Sequence, residues 1–181
     1  MNSPVLRVAT GADLGAIAGV MRASALELFP RFYDERQAAS AVVHVAHVDP
    51  ALVADGTYLV HDAGGEIVAC GGWSRRGRLY TGSGDQHGDD RLLDPRTEAA
   101  HIRAMFVHPD WTRRGLGRAI LEAGRDAAGR EGFQRLDLMA TLPGVPLYRA
   151  FGFRDVEAVV LTMPDGVTID AIAMERSIDP L

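Results

Sequence analysis

The sequence predicts an α+β (mixed α/β) fold, a single domain over residues 1–181. Its core is a central twisted mixed sheet of about seven strands, flanked by about four helices. Three observations predict it. Apolar spacing switches between period two and helical period in the order β-α-α-β-β-β-α-β-α-β-β. Three strands follow one another before the third helix, which argues for a mixed sheet rather than a doubly wound one. No internal repeat, linker or composition break divides the chain.

Val5 to Ala9 reads as a short strand, and Thr10-Gly11-Ala12-Asp13 as a turn with helix-starting chemistry. Leu14, Ile17, Ala18, Met21, Ala25 and Leu28 recur at helical spacing until Pro30. Asp34 starts a second helix through Ala38, Ala41, Val42 and Val45; Asp49 to Gly56 follows as a short helical turn and loop. Thr57 to His61 and Glu66 to Ser74 form a hairpin around Asp62-Ala63-Gly64-Gly65. Gly82 to Asp90 is a polar, glycine-rich loop. Ala99 to Val107 is a central strand that Pro109 ends. A helix over Gly115 to Arg130 follows, with Gly132 as its C-cap. Arg135 to Ala140 is a strand, and Val145 to Ala150 a short helix. Phe153 to Met163 and Val167 to Ile178 are strands joined at Pro164-Asp165-Gly166.

Hydrophobic residues make up 47% and charged residues 24%, a globular balance that excludes disorder. All 19 basic residues are arginine. The net charge of -5 disfavours nucleic-acid binding, which needs a dominant basic field. Cys70 is the one cysteine, so no internal disulfide forms; it sits in an apolar run and reads as a buried small hydrophobe. The start shows no charged region followed by an apolar one, and no apolar run reaches membrane-span length. A cytoplasmic protein without a membrane partner is the expectation.

The most informative stretch runs from Val107-His108-Pro109 through Thr112, Arg113, Arg114, Gly115, Leu116, Gly117 and Arg118. A strand ends, a loop turns and a helix begins on small residues. The first N–H groups of a helix lack internal partners and carry partial positive charge. Glycine lets a ligand approach them, and Arg113, Arg114 and Arg118 add formal charge. Between Arg103 and Arg135, seven arginines face four acidic residues inside an acidic chain. That chemistry suits a pyrophosphate. It is neither a dinucleotide fingerprint, which would need Gly at Ile120, nor a P-loop.

Residues 100–155 resemble the GNAT acyltransferase superfamily. Thr112-Arg113-Arg114-Gly115-Leu116-Gly117 is similar to its Gln/Arg-x-x-Gly-x-Gly/Ala motif, with Thr112 departing at the first position. Leu147-Tyr148-Arg149-Ala150-Phe151-Gly152-Phe153 resembles its Tyr-x-x-x-Gly-Phe. The resemblance implies a GNAT-like fold and acetyl-CoA, or another acyl-CoA, as co-substrate. The co-substrate lies in a V between the strands ending near Val107 and Ala140, with no metal. It further implies that backbone at Phe106 and Val107 holds the pantetheine arm. Thr141 stands where relatives carry Asn, and Tyr148 is the general acid for the leaving thiolate. His101 stands where some branches carry a base; the alternative is a histidine that only hydrogen-bonds at a strand end. His101, Arg103, Met105 and Val107 are expected on one strand face by period two. Glu98 is a weaker substitute base, and Ala104, where many relatives carry Glu, cannot act. For Tyr148 the alternative is an amphipathic core tyrosine.

Other clusters rank lower. Asp85, His87, Asp89 and Asp90 read as a solvated loop before a metal site. His44 and His47 read as a partly exposed pair, and Arg75-Arg76-Gly77-Arg78 as a solvated strand end. Phe29, Phe32, Tyr33 and Trp73 are candidates to line an acceptor pocket. The reading is an acetyl-CoA-dependent N-acyltransferase acting on a small-molecule or peptide amine. Its alternative is a non-catalytic acyl-CoA-binding or regulatory module. Exposed sheet edges near the C-terminal hairpin are compatible with a homodimer.

Overall fold

The computed structural model describes residues 3–80 and 90–179. Among them are seven strands: β1 (Val5–Val8), β2 (Tyr58–Asp62), β3 (Ile67–Ser74), β4 (Ala100–Val107), β5 (Arg135–Thr141), β6 (Arg154–Thr162) and β7 (Thr168–Ser177). Five α-helices accompany them: α1 (Leu14–Leu28), α2 (Glu35–His44), α3 (Pro50–Ala54), α4 (Leu116–Arg130) and α5 (Val145–Ala150). The helix beyond the expected four is α3, where Asp49 accepts from the Ala51 N–H and Pro50 occupies the first turn.

The sheet order is β1-β2-β3-β4-β5-β7-β6. Only β4 and β5 run parallel; every other neighbouring pair is antiparallel. A mixed sheet follows, because α4 is the one long crossover between adjacent strands. One face carries α1 and α2, whose Ile17, Met21 and Ala41 are buried against it together with Phe29 of the 3-10 turn between them. The other carries α4 and α5, through Leu116, Ile120, Leu121 and Val145.

Two irregularities shape the centre. First, β4 and β5 are registered only at Ala100–Leu136 and His101–Asp137, and then diverge. Second, β4 carries one extra residue opposite β3, since Cys70 faces Phe106 but Gly72 faces Arg103. Ala104, in that bulge, has φ of +51°. The bulge corrects the period-two expectation. His101, Arg103 and Phe106 share a face with Ser74, Gly72 and Cys70. Val107 lies on the opposite face with Ala69, and Met105 packs beside it against Ile120 of α4. An inserted residue reverses the alternation beyond it.

Candidate active site

The loop after β4 makes a single 3-10 turn, Pro109–Trp111, and then enters α4. Arg113 (φ +62°) and Gly115 (φ +79°) both take the left-handed conformation that allows so tight an entry. A Cβ on Gly115 would meet nothing within 4 Å, so its requirement is conformational rather than steric. The first intrahelical bond runs from Ala119 N–H to Gly115 O at 3.0 Å. The N–H groups of Leu116, Gly117 and Arg118 precede it and are free for a ligand. Gly117 leaves room for a neighbour: a Cβ there would stand 3.0 Å from Leu147 Cδ2, so a larger residue would push the leucine aside. That contact sets α5 directly beside the helix start. Leu116 and Val107 share one apolar cluster, so the end of β4 meets the same point.

The flanking side chains divide by role. Arg114 stacks over Trp111 at 4.6 Å and donates to Asp110 O at 3.2 Å. Arg118 pairs with Glu122 at 3.0 Å and lies over Phe151 at 5.8 Å. Thr112 turns its hydroxyl into its own loop, donating to Pro109 O at 3.0 Å. The departure from the family motif at this position therefore closes the turn. Thr141 ends β5, and its hydroxyl takes no part in capping the following turn.

Tyr148 lies on α5, buried, with its ring edge-on to Phe153 at 5.9 Å. Burial pushes its phenol above the ordinary value near 10. Among the described residues its hydroxyl has no hydrogen-bond partner, and the oxygen is not sealed off from solvent. His101 lies on the other face, where β4 and β5 are still registered, and its Nδ1–H donates to Asp137. Asp137 accepts, so Nε2 is left as the acceptor nitrogen of the neutral ring. Two residues on, the buried guanidinium of Arg103 pairs with Asp49 at 3.1 Å and donates to Arg78 O. Burial lowers its pKa.

The lower-ranked clusters resolve simply. Arg75 pairs with Glu131 at 2.6 Å and Arg76 with Asp55 at 2.6 Å, which spends both on local ion pairs. Trp73 packs against Phe133 on the α4 side of the sheet, away from Phe29 and Tyr33. Tyr33 is structural: its hydroxyl donates to Asp170 O at 2.7 Å and accepts from Leu142 N–H at 2.9 Å. His44 faces Asp165 at 3.6 Å. Asp85, His87 and Asp89 lie outside the described residues, among which no group of three metal-ligating side chains occurs. No helix of the described residues is long and apolar enough to cross a membrane.

Three residues emerge from the structure alone. Asp137 holds His101 across the parallel pair. Tyr58 donates to Ala104 O inside the bulge. His61 donates to Leu116 O at the helix start. None follows a local motif, because each partner lies far off in the sequence and is set by the assembled fold.

The sheet opens after two registered residue pairs, beside a glycine-entered helix start, a cleft with the chemistry to take an anionic ligand. The profile of the acetyltransferase (GNAT) family matches residues 21–153, and the chain belongs to that family. Acetyl transfer from acetyl-CoA is the activity of such an enzyme. The fold is shared with a GCN5-related N-acetyltransferase from Rhodopseudomonas palustris at TM-score 0.73 and 22% identity, over 98% of this chain and 97% of that one. It is shared with an N-acetyltransferase from Thermoplasma acidophilum in complex with coenzyme A at TM-score 0.64 and 13% identity, over 98% and 99%. An acetyltransferase of Salmonella typhimurium with its cofactor acetyl-CoA aligns at TM-score 0.63 and 19% identity, over 100% and 96%. No curated protein sequence matches the chain.

Proposed function

We propose that residues 1–181 act as one unit that transfers acetyl from acetyl-CoA to a primary amine on a small molecule or peptide. The observation that carries this reading is the divergence of β4 and β5 beyond His101–Asp137, with the start of α4 at its mouth. The N–H groups of Leu116, Gly117 and Arg118, with Arg113, Arg114 and Arg118, hold the pyrophosphate. Backbone at Phe106 and Val107 holds the pantetheine arm and polarises the thioester carbonyl. Thr141 offers one hydrogen bond from the facing strand.

An amine with a pKa near ~10.4 costs roughly 4.6 kcal/mol to deprotonate at neutral pH. His101, oriented by Asp137, takes that proton through water. The amine nitrogen then bonds to the acetyl carbon, the carbon–sulfur bond breaks, and the thiolate leaves with the electron pair; the new amide nitrogen sheds its remaining extra proton through water, which restores the phenol of Tyr148 once that has protonated the thiolate. Tyr148 donates a hydrogen bond to this thiolate and supplies its proton. Burial raises the phenol, so the donated hydrogen bond matters more than a free proton transfer.

A non-catalytic acyl-CoA-binding module is the second reading, favoured by Thr112, whose hydroxyl is turned away from any ligand. An acceptor screen over small amines, amino acids and peptide N-termini, read by CoA release, separates the two. The reading extends to a homodimer along β6, the sheet edge that exposes Val156 and Val160. Sedimentation of the wild type against Val160→Lys tests that part.

A further inference from the structure

We propose that His61 is a positioning residue for the pyrophosphate end of the donor site, acting through the Leu116–Gly117 peptide. This rests on the reading of residues 113–118 as a phosphate cradle.

His61 lies on β2 and is buried, and its Nε2 stands 3.1 Å from Leu116 O. A carbonyl oxygen only accepts, so Nε2 carries the hydrogen and donates. The other end of that same peptide unit is the Gly117 N–H, one of the three free donors of the first turn. A hydrogen bond accepted at the carbonyl polarises the amide and strengthens its N–H as a donor. Leu147 of α5 packs beside the same residue, where a Cβ on Gly117 would come within 3.0 Å of Leu147 Cδ2. The peptide plane is thus fixed between β2 and α5 before a ligand arrives, and a preorganised donor loses less on binding.

A second observation separates this role from core packing. With Nε2 donating, Nδ1 is an acceptor; it is buried without a hydrogen bond, and the Pro4 backbone beside the ring has a carbonyl but no N–H to give it. An unsatisfied buried nitrogen is costly. Phenylalanine or leucine would fill the space without it. What histidine alone supplies here is the hydrogen bond to Leu116 O.

The test compares His61→Phe, His61→Asn and His61→Gln with the wild type. Each is titrated with CoA and with pantetheine, which lacks the pyrophosphate, and each is melted. Phenylalanine keeps the ring and loses the donor; asparagine is too short to reach Leu116 O; glutamine keeps a donor at nearly the same reach. The expected result is CoA affinity about fivefold weaker for His61→Phe and His61→Asn. Pantetheine affinity stays unchanged, His61→Gln recovers most of the loss, and the melting temperature of His61→Phe is no lower than wild type. Unchanged CoA affinity in His61→Phe or His61→Asn, or equal loss for CoA and pantetheine, overturns the proposal. A wild type that binds CoA no better than pantetheine overturns the cradle reading instead. If His61→Phe does not fold, the His61→Asn and His61→Gln pair decides alone.

Discussion

Tyr58 donates its hydroxyl hydrogen to the carbonyl oxygen of Ala104 at 2.6 Å, across 46 residues of sequence. The bond ties β2 to the bulge in β4. Ala104 holds a left-handed φ, which costs a residue with a Cβ about 1–2 kcal/mol. Tyr58 is buried, which pushes its phenol well above the ordinary value, so it remains a donor at every working pH. The backbone from Met105 to Val107, which lines the V, thus takes its position from a residue two strands away.

Replacing Tyr58 with Phe leaves the Ala104 carbonyl unpaired in the interior. The expected cost is about 1–3 kcal/mol of stability, measured by denaturant unfolding. Turnover at saturating acetyl-CoA falls as well, because the β4 backbone proposed to hold the pantetheine arm loses its support. Full stability and full turnover in Tyr58→Phe would show that the bulge holds itself.

Tyr148→Phe removes the hydroxyl proposed to serve the leaving thiolate. Turnover should fall by about 10²-fold, the scale of one general acid, while CoA affinity changes little. Burial raises the Tyr148 pKa, and the residue acts in its protonated form. The wild-type rate should therefore show no alkaline fall from this group below about pH 10. Full turnover in Tyr148→Phe would remove the assignment.

His101→Ala should lower turnover with amines by about 10²-fold, and Asp137→Asn by a smaller factor. Asparagine cannot accept the Nδ1–H as strongly, so the ring loses both its orientation and its charge support. Pre-deprotonated acceptors of low pKa, such as aryl hydrazines, should be affected least by either change. Equal loss across strong and weak bases would make His101 structural.

Arg7 joins β1 to the turn before α1 and to β2. It makes two bonds of 2.9 Å to the Asp13 carboxylate and two, of 3.0 and 3.1 Å, to Asp62. Arg7 first, and then the Thr10 N–H, holds Asp13 well below the usual carboxylate range. A depressed folded pKa contributes stability above the unfolded value near ~3.9 and loses it as pH falls through the folded one. Asp13→Asn should lower Tm by about 2–4 °C at neutral pH, and the gap to wild type should narrow as pH falls below about 4. Thermal melts over that range check the sign.

Much of the fold is legible in the sequence because its signals are local. Proline and glycine punctuate each turn, and the Gly115 and Gly117 pair marks the helix entry beside three arginines. Tyr148 is found by its Gly152-Phe153 turn. The bulge at Ala104 is not legible: nothing in Arg103-Ala104-Met105 announces an inserted residue, and period two places Met105 and Val107 on the wrong face. Asp137, Tyr58 and His61 escape for the same reason. Each acts on a residue far away in the sequence, on another strand or at the start of α4, and those neighbours are fixed only by the assembled sheet. Trp73 escapes because an aromatic in a strand buried on both faces carries no sign of which face it serves.

The central claim is that the V between β4 and β5 holds a thioester for attack by an amine. Incubation of the purified chain with acetyl-CoA and a panel of primary amines tests it most directly, with free CoA and N-acetyl product both quantified by mass spectrometry. The account predicts that at least one acceptor class yields the two in equal amounts, and that Tyr148→Phe suppresses both together. Acetyl-CoA bound tightly but returned intact across the whole panel would contradict it.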